Sequence, residues 1–285
     1  MANKQNLVIF HGNCPDGFTA AWLFWRWLGE DAQYVAAGYG DPPPDVAGRN
    51  VYLVDFSYPR DVLLRMNEEA ASLLVLDHHK TAEEALAGLP FCVFDLKQCG
   101  SQLAAIWLMR EVQLRLDKVD TEFILYVADN DLWTRQLANT DEVRAAYLAT
   151  PFEFAVWTEF VLEGKDQWVK WGRLILAYHR LIVEHHKKQR FLMNVGGHVV
   201  PAFNLTIKDV VSMLLHEACQ GERFAVAFWF NGRKWEYSLR SDEQGEDVSD
   251  IAKLFGGGGH KHAAGFQLLE CDRVLRRLLP LQCSG

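Results

Sequence analysis

A chain of 285 residues, 49% of them hydrophobic, can bury a full core and is long enough for two domains, which excludes a disordered protein. Its formal net charge of −8 argues against a protein that coats long nucleic acid, since that role needs a basic surface to displace counterions. The longest apolar stretches fall far short of the roughly 18 residues of a membrane span, and the first residues run directly into a strand pattern without a signal-peptide layout. A soluble, cytoplasmic protein is therefore expected.

In chain order, the first half alternates short apolar runs with helical patterns. Leu7–Phe10, Val51–Val54 and Leu73–Leu76 each read as a buried strand of a parallel sheet. Each run ends directly in residues able to ligate a metal: His11, then Asp55, then Asp77-His78-His79. Ligands of an open α/β sheet gather at the carboxyl ends of its strands, so these side chains can converge on one crevice as a metal-assisted active site. Gly12-Asn13-Cys14-Pro15-Asp16-Gly17 forms a turn, Phe18–Leu28 continues as a helix, and the segment 38–48 with Pro42, Pro43 and Pro44 must be a loop. Helices expected over Gln102–Leu114 and Thr121–Ala128 complete a doubly wound, mostly parallel α/β domain over residues 1–160.

Residues 161–194 read as a connector helix, with Trp168, Trp171, Ile175, Tyr178 and Ile182 recurring at spacings of three and four. His185-His186 beside Lys187 and Lys188 reads as a solvated face of that helix rather than a metal pair. A smaller α/β domain is expected over 195–285. It comprises a strand at 198–204, a helix at Val210–Ala218, and strands at 223–230 and 234–240 joined through Asn231-Gly232-Arg233 as a hairpin. A helical pattern at Val248–Phe255 then leads through four glycines to a strand-like stretch at 263–269.

Those glycines supply a second kind of site. Without a Cβ in the way, the backbone N–H groups of Gly257, Gly258 and Gly259 can cradle a phosphate, His260 can add a charge-assisted hydrogen bond, and Arg240 reads as a bidentate clamp. The six cysteines (Cys14, Cys92, Cys99, Cys219, Cys271, Cys283) form no short-spaced pair, so reduced thiols are expected and a structural zinc is not. Trp133 reads as core packing, with base stacking as the alternative because it closely follows Asp131-Leu132.

The ordered set His11…Asp16, Asp55, Asp77-His78-His79 and Asp129, followed by Gly256–Gly259, His260, Ala263-Ala264-Gly265, resembles the DHH phosphoesterase family with its C-terminal DHHA1 domain, in particular its nanoRNase-like members. The resemblance spans nearly the whole chain. It implies an enzyme in which two divalent cations, usually Mn2+ or else Mg2+, activate water for attack on a phosphoester lying in a cleft between two domains that must close. It also implies metal ligation by His11, Asp16, Asp55, His78 and Asp129, with Asp55 as the bridge, Asp77 orienting His78, and His79 facing the phosphate or the second metal. Asp55, Asp77 and His79 are the expected catalytic residues, and His79, Arg240, Gly257, Gly258, Gly259 and His260 the substrate-binding ones. Between His11 and Asp16 the chain reads Asn13-Cys14-Pro15, with one carboxylate where many members place two, which leaves open whether both metal sites fill.

The expected activity is hydrolysis of short oligonucleotides or small dinucleotides, without long duplex partners or membrane, and compatible with a homo-oligomer. A phosphoanhydride hydrolase acting on pyrophosphate or polyphosphate is the alternative enzyme. A catalytically weakened nucleotide sensor is the alternative outside enzymes.

Overall fold

The computed structural model describes residues 4–205 and 207–269, so Cys271 and Cys283 lie outside the described residues. The chain divides into two compact units, Met1–Ile175 and Leu176–Gly285.

The first unit runs β1 (Asn6–His11), α1 (Pro15–Leu28), β2 (Ala32–Ala37), β3 (Asn50–Val54), α2 (Arg60–Glu69), β4 (Ser72–Asp77), α3 (Lys80–Leu86), β5 (Cys92–Phe94), α4 (Gly100–Glu111), α5 (Lys118–Asp131), α6 (Thr140–Leu148) and α7 (Phe154–Glu163). The five strands are parallel in the order β2-β1-β3-β4-β5. The three predicted strands are its central ones, and they are contiguous apolar runs because both faces are covered. Along β1, Val8 and Phe10 pack into a cluster with α1, α4 and α5, while Leu7 and Ile9 pack on the other face with Leu63 and Met66 of α2 and Leu86 of α3. β2 escaped prediction: this edge strand has a mixed burial pattern, and its apolar run Tyr34–Ala37 is buried only at Ala37. Helix α6 lies outside every predicted element, and α7 meets the expected connector helix only at residues 161–163.

The larger cluster is aromatic. Trp157 of α7 is fully buried, with the rings of Phe18, Phe123 and Phe152 at centroid distances of 5.1, 5.7 and 5.2 Å in edge-to-face arrangements.

Helix α8 (Lys165–Lys187) contains the division between the units. The second unit continues with β6 (Phe191–Val195), β7 (His198–Asn204), α9 (Val211–Ala218), β8 (Ala225–Phe230), β9 (Lys234–Arg240), α10 (Val248–Lys253), β10 (Gly258–His260) and β11 (Ala263–Leu269). Its six strands are ordered β10-β11-β9-β8-β7-β6, antiparallel except for the β7/β8 pair. α10 covers one face and α9 the other. His186 is buried and its pKa is lowered by that burial, so only His185 of the pair is solvated. No helix among the described residues is long and apolar enough to cross a membrane.

Because the rings around Trp157 cannot collapse into the space it fills, Trp157→Ala is expected to cost about 3–5 kcal/mol of stability. A large drop in the denaturant midpoint checks this.

Candidate metal centre

The sheet order changes direction between β1 and β3, and the carboxyl ends of those strands carry His11 and Asp55. Here the backbone of Asp55 turns into the left-handed region (φ 56°), and its N–H donates to the Leu76 carbonyl at 2.9 Å. Aspartate tolerates this conformation better than most residues, so the strand can end abruptly and leave the carboxylate in the crevice. Downstream of β1, Asn13 is also left-handed (φ 57°), and Pro15 opens α1 with its φ already suited to a first turn. Asp16 follows, only 1% exposed.

Two groups of candidate ligands result. One ligand atom from each of His11, Asp55 and His79 lies within 4.8 Å of the others, and the same holds for Asp16, His78 and Asp131. Asp55 faces both groups. Its Oδ2 is 3.4 Å from His11 Nδ1, and its Oδ1 is 3.1 Å from His78 Nε2. His78 Nε2 in turn stands 3.5 Å from Asp131 Oδ2 and 3.9 Å from Asp16 Oδ2.

Two glycines allow this density. A Cβ on Gly100, the first residue of α4, would lie 2.4 Å from the Asp55 Cβ, and one on Gly17 would lie 2.6 Å from the His11 carbonyl oxygen. Through the same approach the N–H groups of Gly100 and Ser101 donate to the two oxygens of Asp16 at 2.5 and 2.9 Å, so donors left unpaired by the α4 N-terminus hold the carboxylate. Gly100 and Ser101 escaped the sequence reading, because their relevance depends on a contact 84 residues away.

The electrostatics are those of crowded acids compensated by imidazoles. Burial, then the charges of Asp55 and Asp131, push the Asp16 carboxyl up, and burial and Asp55 do the same to Asp131. Burial would also raise Asp55, but the imidazoles of His11 and His78 outweigh it and hold that carboxyl below the usual range. Burial would lower His78, but its hydrogen bond to Asp55 and the surrounding carboxylates raise it to about 9. His11 Nδ1 and Asp55 Oδ2 are both buried without a hydrogen-bond partner although they face each other. Cys14 belongs to neither group, and burial followed by the Asp55 charge keeps its thiol protonated. A buried carboxylate and imidazole set with no thiolate, and with unpaired atoms facing inward, fits hard divalent cations such as Mn2+ or Mg2+.

Two expected roles are corrected. Asp77 orients the ring of His79 and not that of His78: its Oδ1 accepts from His79 Nδ1 at 2.7 Å, leaving Nε2 of that ring uncommitted to Asp77, while its Oδ2 accepts from Ser57 Oγ at 2.5 Å. The same Oδ1 also accepts from the backbone N–H of His78 at 2.7 Å.

The structure likewise brings Asp131, and not Asp129, to the ligand groups. The Asp129 carboxylate is committed elsewhere, accepting from Thr134 Oγ1 (2.6 Å), the Gln136 N–H (2.7 Å), the Leu137 N–H (3.2 Å) and Thr140 Oγ1 (2.5 Å). It clamps the loop after α5. The helix repeat does not separate the two, for Asp129 lies three residues beyond Tyr126 and Asp131 four beyond Val127, and both of those residues pack into the core.

In the second unit, Arg240 and Gly256–Gly259 line a groove of about 690 Å3. Among the described residues Arg240 has no carboxylate within 4 Å, and its guanidinium donates to Ser238 Oγ and to the Leu239 carbonyl. Gly257 and Gly259 have a packing reason to be glycine, since a Cβ on either would meet β11 backbone at 2.2 and 2.6 Å, while Gly258 faces open space. His260 is exposed and does not line the groove, contrary to expectation.

No protein-family model matches the chain. The uncharacterized protein R106 of Acanthamoeba polyphaga mimivirus is 28% identical over 92% of this chain and 67% of its own length. Among solved structures, a pGpG-specific phosphodiesterase from Vibrio cholerae aligns with a TM-score of 0.54 at 14% identity, covering 96% of this chain and 97% of that one. An exopolyphosphatase-related protein from Bacteroides fragilis aligns with a TM-score of 0.51 at 13% identity, covering 93% and 87%. RecJ in complex with Mn2+ from Thermus thermophilus aligns with a TM-score of 0.53 at 16% identity over 95% of this chain, which spans half the length of that RecJ chain. The chain therefore has the two-domain α/β fold shared by these phosphodiesterase, exopolyphosphatase-related and RecJ structures.

Titration calorimetry with Mn2+ separates the two aspartates. Asp131→Ala is expected to lose one of two binding events, whereas Asp129→Ala keeps both and lowers the melting temperature. Gly100→Ala, which presses on Asp55 and Asp16, is expected to weaken binding by at least tenfold.

Proposed function

We propose that the chain is a metal-dependent phosphodiesterase of the DHH type that hydrolyses short oligonucleotides or small dinucleotides. The observation that carries this reading is the division of the Asp55 carboxylate between two ligand groups, one oxygen toward His11 and the other toward His78. Such an arrangement suits a pair of cations bridged by one carboxylate. Its likeness in fold to the phosphodiesterase and RecJ structures supports the reading.

His11, Asp55 and His79 would hold one cation, and Asp16, His78 and Asp131 the other, with Asp55 shared. When bound, the cations would polarise the phosphoryl oxygens and lower the pKa of water. The chain's own residues do the rest. Asp77 holds Nδ1 of His79, which leaves Nε2 of that ring as the nitrogen available for ligation. The α4 N-terminus keeps Asp16 in place through two amide donors. Arg240 and the glycine-lined groove provide an anion grip, for which the Arg240 charge has no competing carboxylate among the described residues.

The acidic chain favours a few nucleotides over long strands, because few phosphates can be neutralised by local charges alone. The test is hydrolysis with Mn2+ across labelled RNA and DNA di- to decanucleotides, cyclic dinucleotides, pyrophosphate and polyphosphate, with Asp55→Ala as the blank. Cleavage of the short nucleotides with a loss of at least a thousandfold in the variant is expected. Turnover of the inorganic substrates alone would make the protein a phosphoanhydride hydrolase, and metal-dependent nucleotide binding without turnover would make it a sensor.

A further inference from the structure

Trp133 was expected in the core, yet it is 73% exposed, the most exposed large apolar side chain among the described residues. It stands two residues beyond the candidate ligand Asp131, within roughly 7 Å along the backbone because each residue spans at most about 3.6 Å. Its backbone is left-handed (φ 57°), as is that of Arg135 (φ 51°). Two bulky residues in that region within three positions carry a conformational cost that persists only where the surroundings over-determine it.

They do so here. The Asp129 carboxylate clamps the loop through Thr134, Gln136, Leu137 and Thr140, and its carbonyl accepts from the N–H groups of Thr134 and Arg135 at 3.1 and 3.3 Å. The Arg135 guanidinium lies 4.3 Å from the indole centroid and is itself paired with Asp141. A guanidinium therefore supports one face of an indole that is otherwise left in water, on a loop that is pinned.

A second aromatic stands at the other ligand group. Tyr39 is 66% exposed, with its ring centroid 5.8 Å from that of His11 and 6.3 Å from that of His79. Its loop is tied by Asp41, whose Oδ2 accepts from the Gly38 N–H at 2.7 Å. Tyr39 thus adjoins His11 and His79 of one ligand group, and Trp133 stands on the loop that leaves Asp131 of the other. Exposed rings on restrained loops beside a phosphate-directed site suit nucleobase stacking, which tolerates every base because every base has a π face.

We propose that Trp133 and Tyr39 are specificity-determining stacking platforms, one for the nucleobase on each side of the scissile phosphate. The assignment rests on the phosphodiesterase reading and narrows it to substrates that carry a base on both sides, such as a linear dinucleotide. Inorganic phosphoanhydrides would leave both rings unused.

The experiment measures KM and kcat for a linear diribonucleotide and for its two analogues lacking one base, using wild type, Trp133→Ala, Trp133→Phe and Tyr39→Leu. In the wild type, removal of either base is expected to raise KM roughly fivefold to a hundredfold, the range given by stacking one base on an aromatic ring. Trp133→Ala should abolish discrimination against one analogue and Tyr39→Leu against the other, with KM moving more than kcat. Trp133→Phe should restore most of the discrimination, which a merely structural role would not do.

A wild type that cleaves the dinucleotide while both variants keep its discrimination would overturn the platforms and leave the phosphodiesterase standing. Collapse against the same analogue in both variants would overturn the two-sided arrangement. A wild type that cleaves longer oligonucleotides but not the dinucleotide would overturn the platforms alone, and one that cleaves no nucleotide would overturn the functional reading with them.

Discussion

The site depends on one buried carboxylate held at the point where a parallel sheet changes winding direction. Asp55 is 1% exposed, its backbone is left-handed, and its two oxygens face different histidines. A buried carboxylate persists only with compensating partners. His78 supplies one at hydrogen-bond distance, while the His11 side presents two inward-facing polar atoms without a hydrogen bond. Around this point β4 delivers its Asp-His-His end, α1 contributes Asp16, α4 its amide donors, and α5 Asp131. Gly17 and Gly100 let these elements approach closely enough to share the space.

A surrounding set of contacts fixes the geometry without belonging to either group of candidate ligands. Asp77 is fully buried and accepts from Ser57, from the backbone of His78, and from both the backbone and ring of His79. Asp129 does the same service for the loop after α5. These two acids resemble ligands in sequence because they adjoin ligands, but their oxygens are already used. The distinction has a chemical consequence: replacing a member of a ligand group would take an oxygen or nitrogen donor from the crevice, whereas replacing an organising acid would let a loop or an imidazole drift.

Much of this was legible in the sequence for physical reasons. Strands buried on both faces are contiguous apolar runs, so β1, β3 and β4 and the residues at their ends could be read directly. Edge strand β2 carries a weaker run, Tyr34–Ala37 with two alanines, and its partial exposure matches that weaker signal. The choice between Asp129 and Asp131 turned on which carboxylate the following loop occupies, since Asp129 accepts from Thr134, Gln136, Leu137 and Thr140, and adjacency to an apolar segment does not show that. Likewise the partner of Asp77 depends on ring orientation, and the role of Gly100 on a contact with residues far away in the chain. Trp133 shows the converse limit, since composition favours burial for tryptophan and only the three-dimensional turn exposes it.

The central claim is that Asp55 joins two cation sites into one centre, and electron paramagnetic resonance of the Mn2+-loaded protein tests it most directly. The account predicts the signature of an exchange-coupled Mn2+ pair at two equivalents of metal in the wild type, replaced by isolated Mn2+ signals in Asp55→Ala. Uncoupled Mn2+ signals in the wild type at saturation, or saturation at a single equivalent, would contradict it.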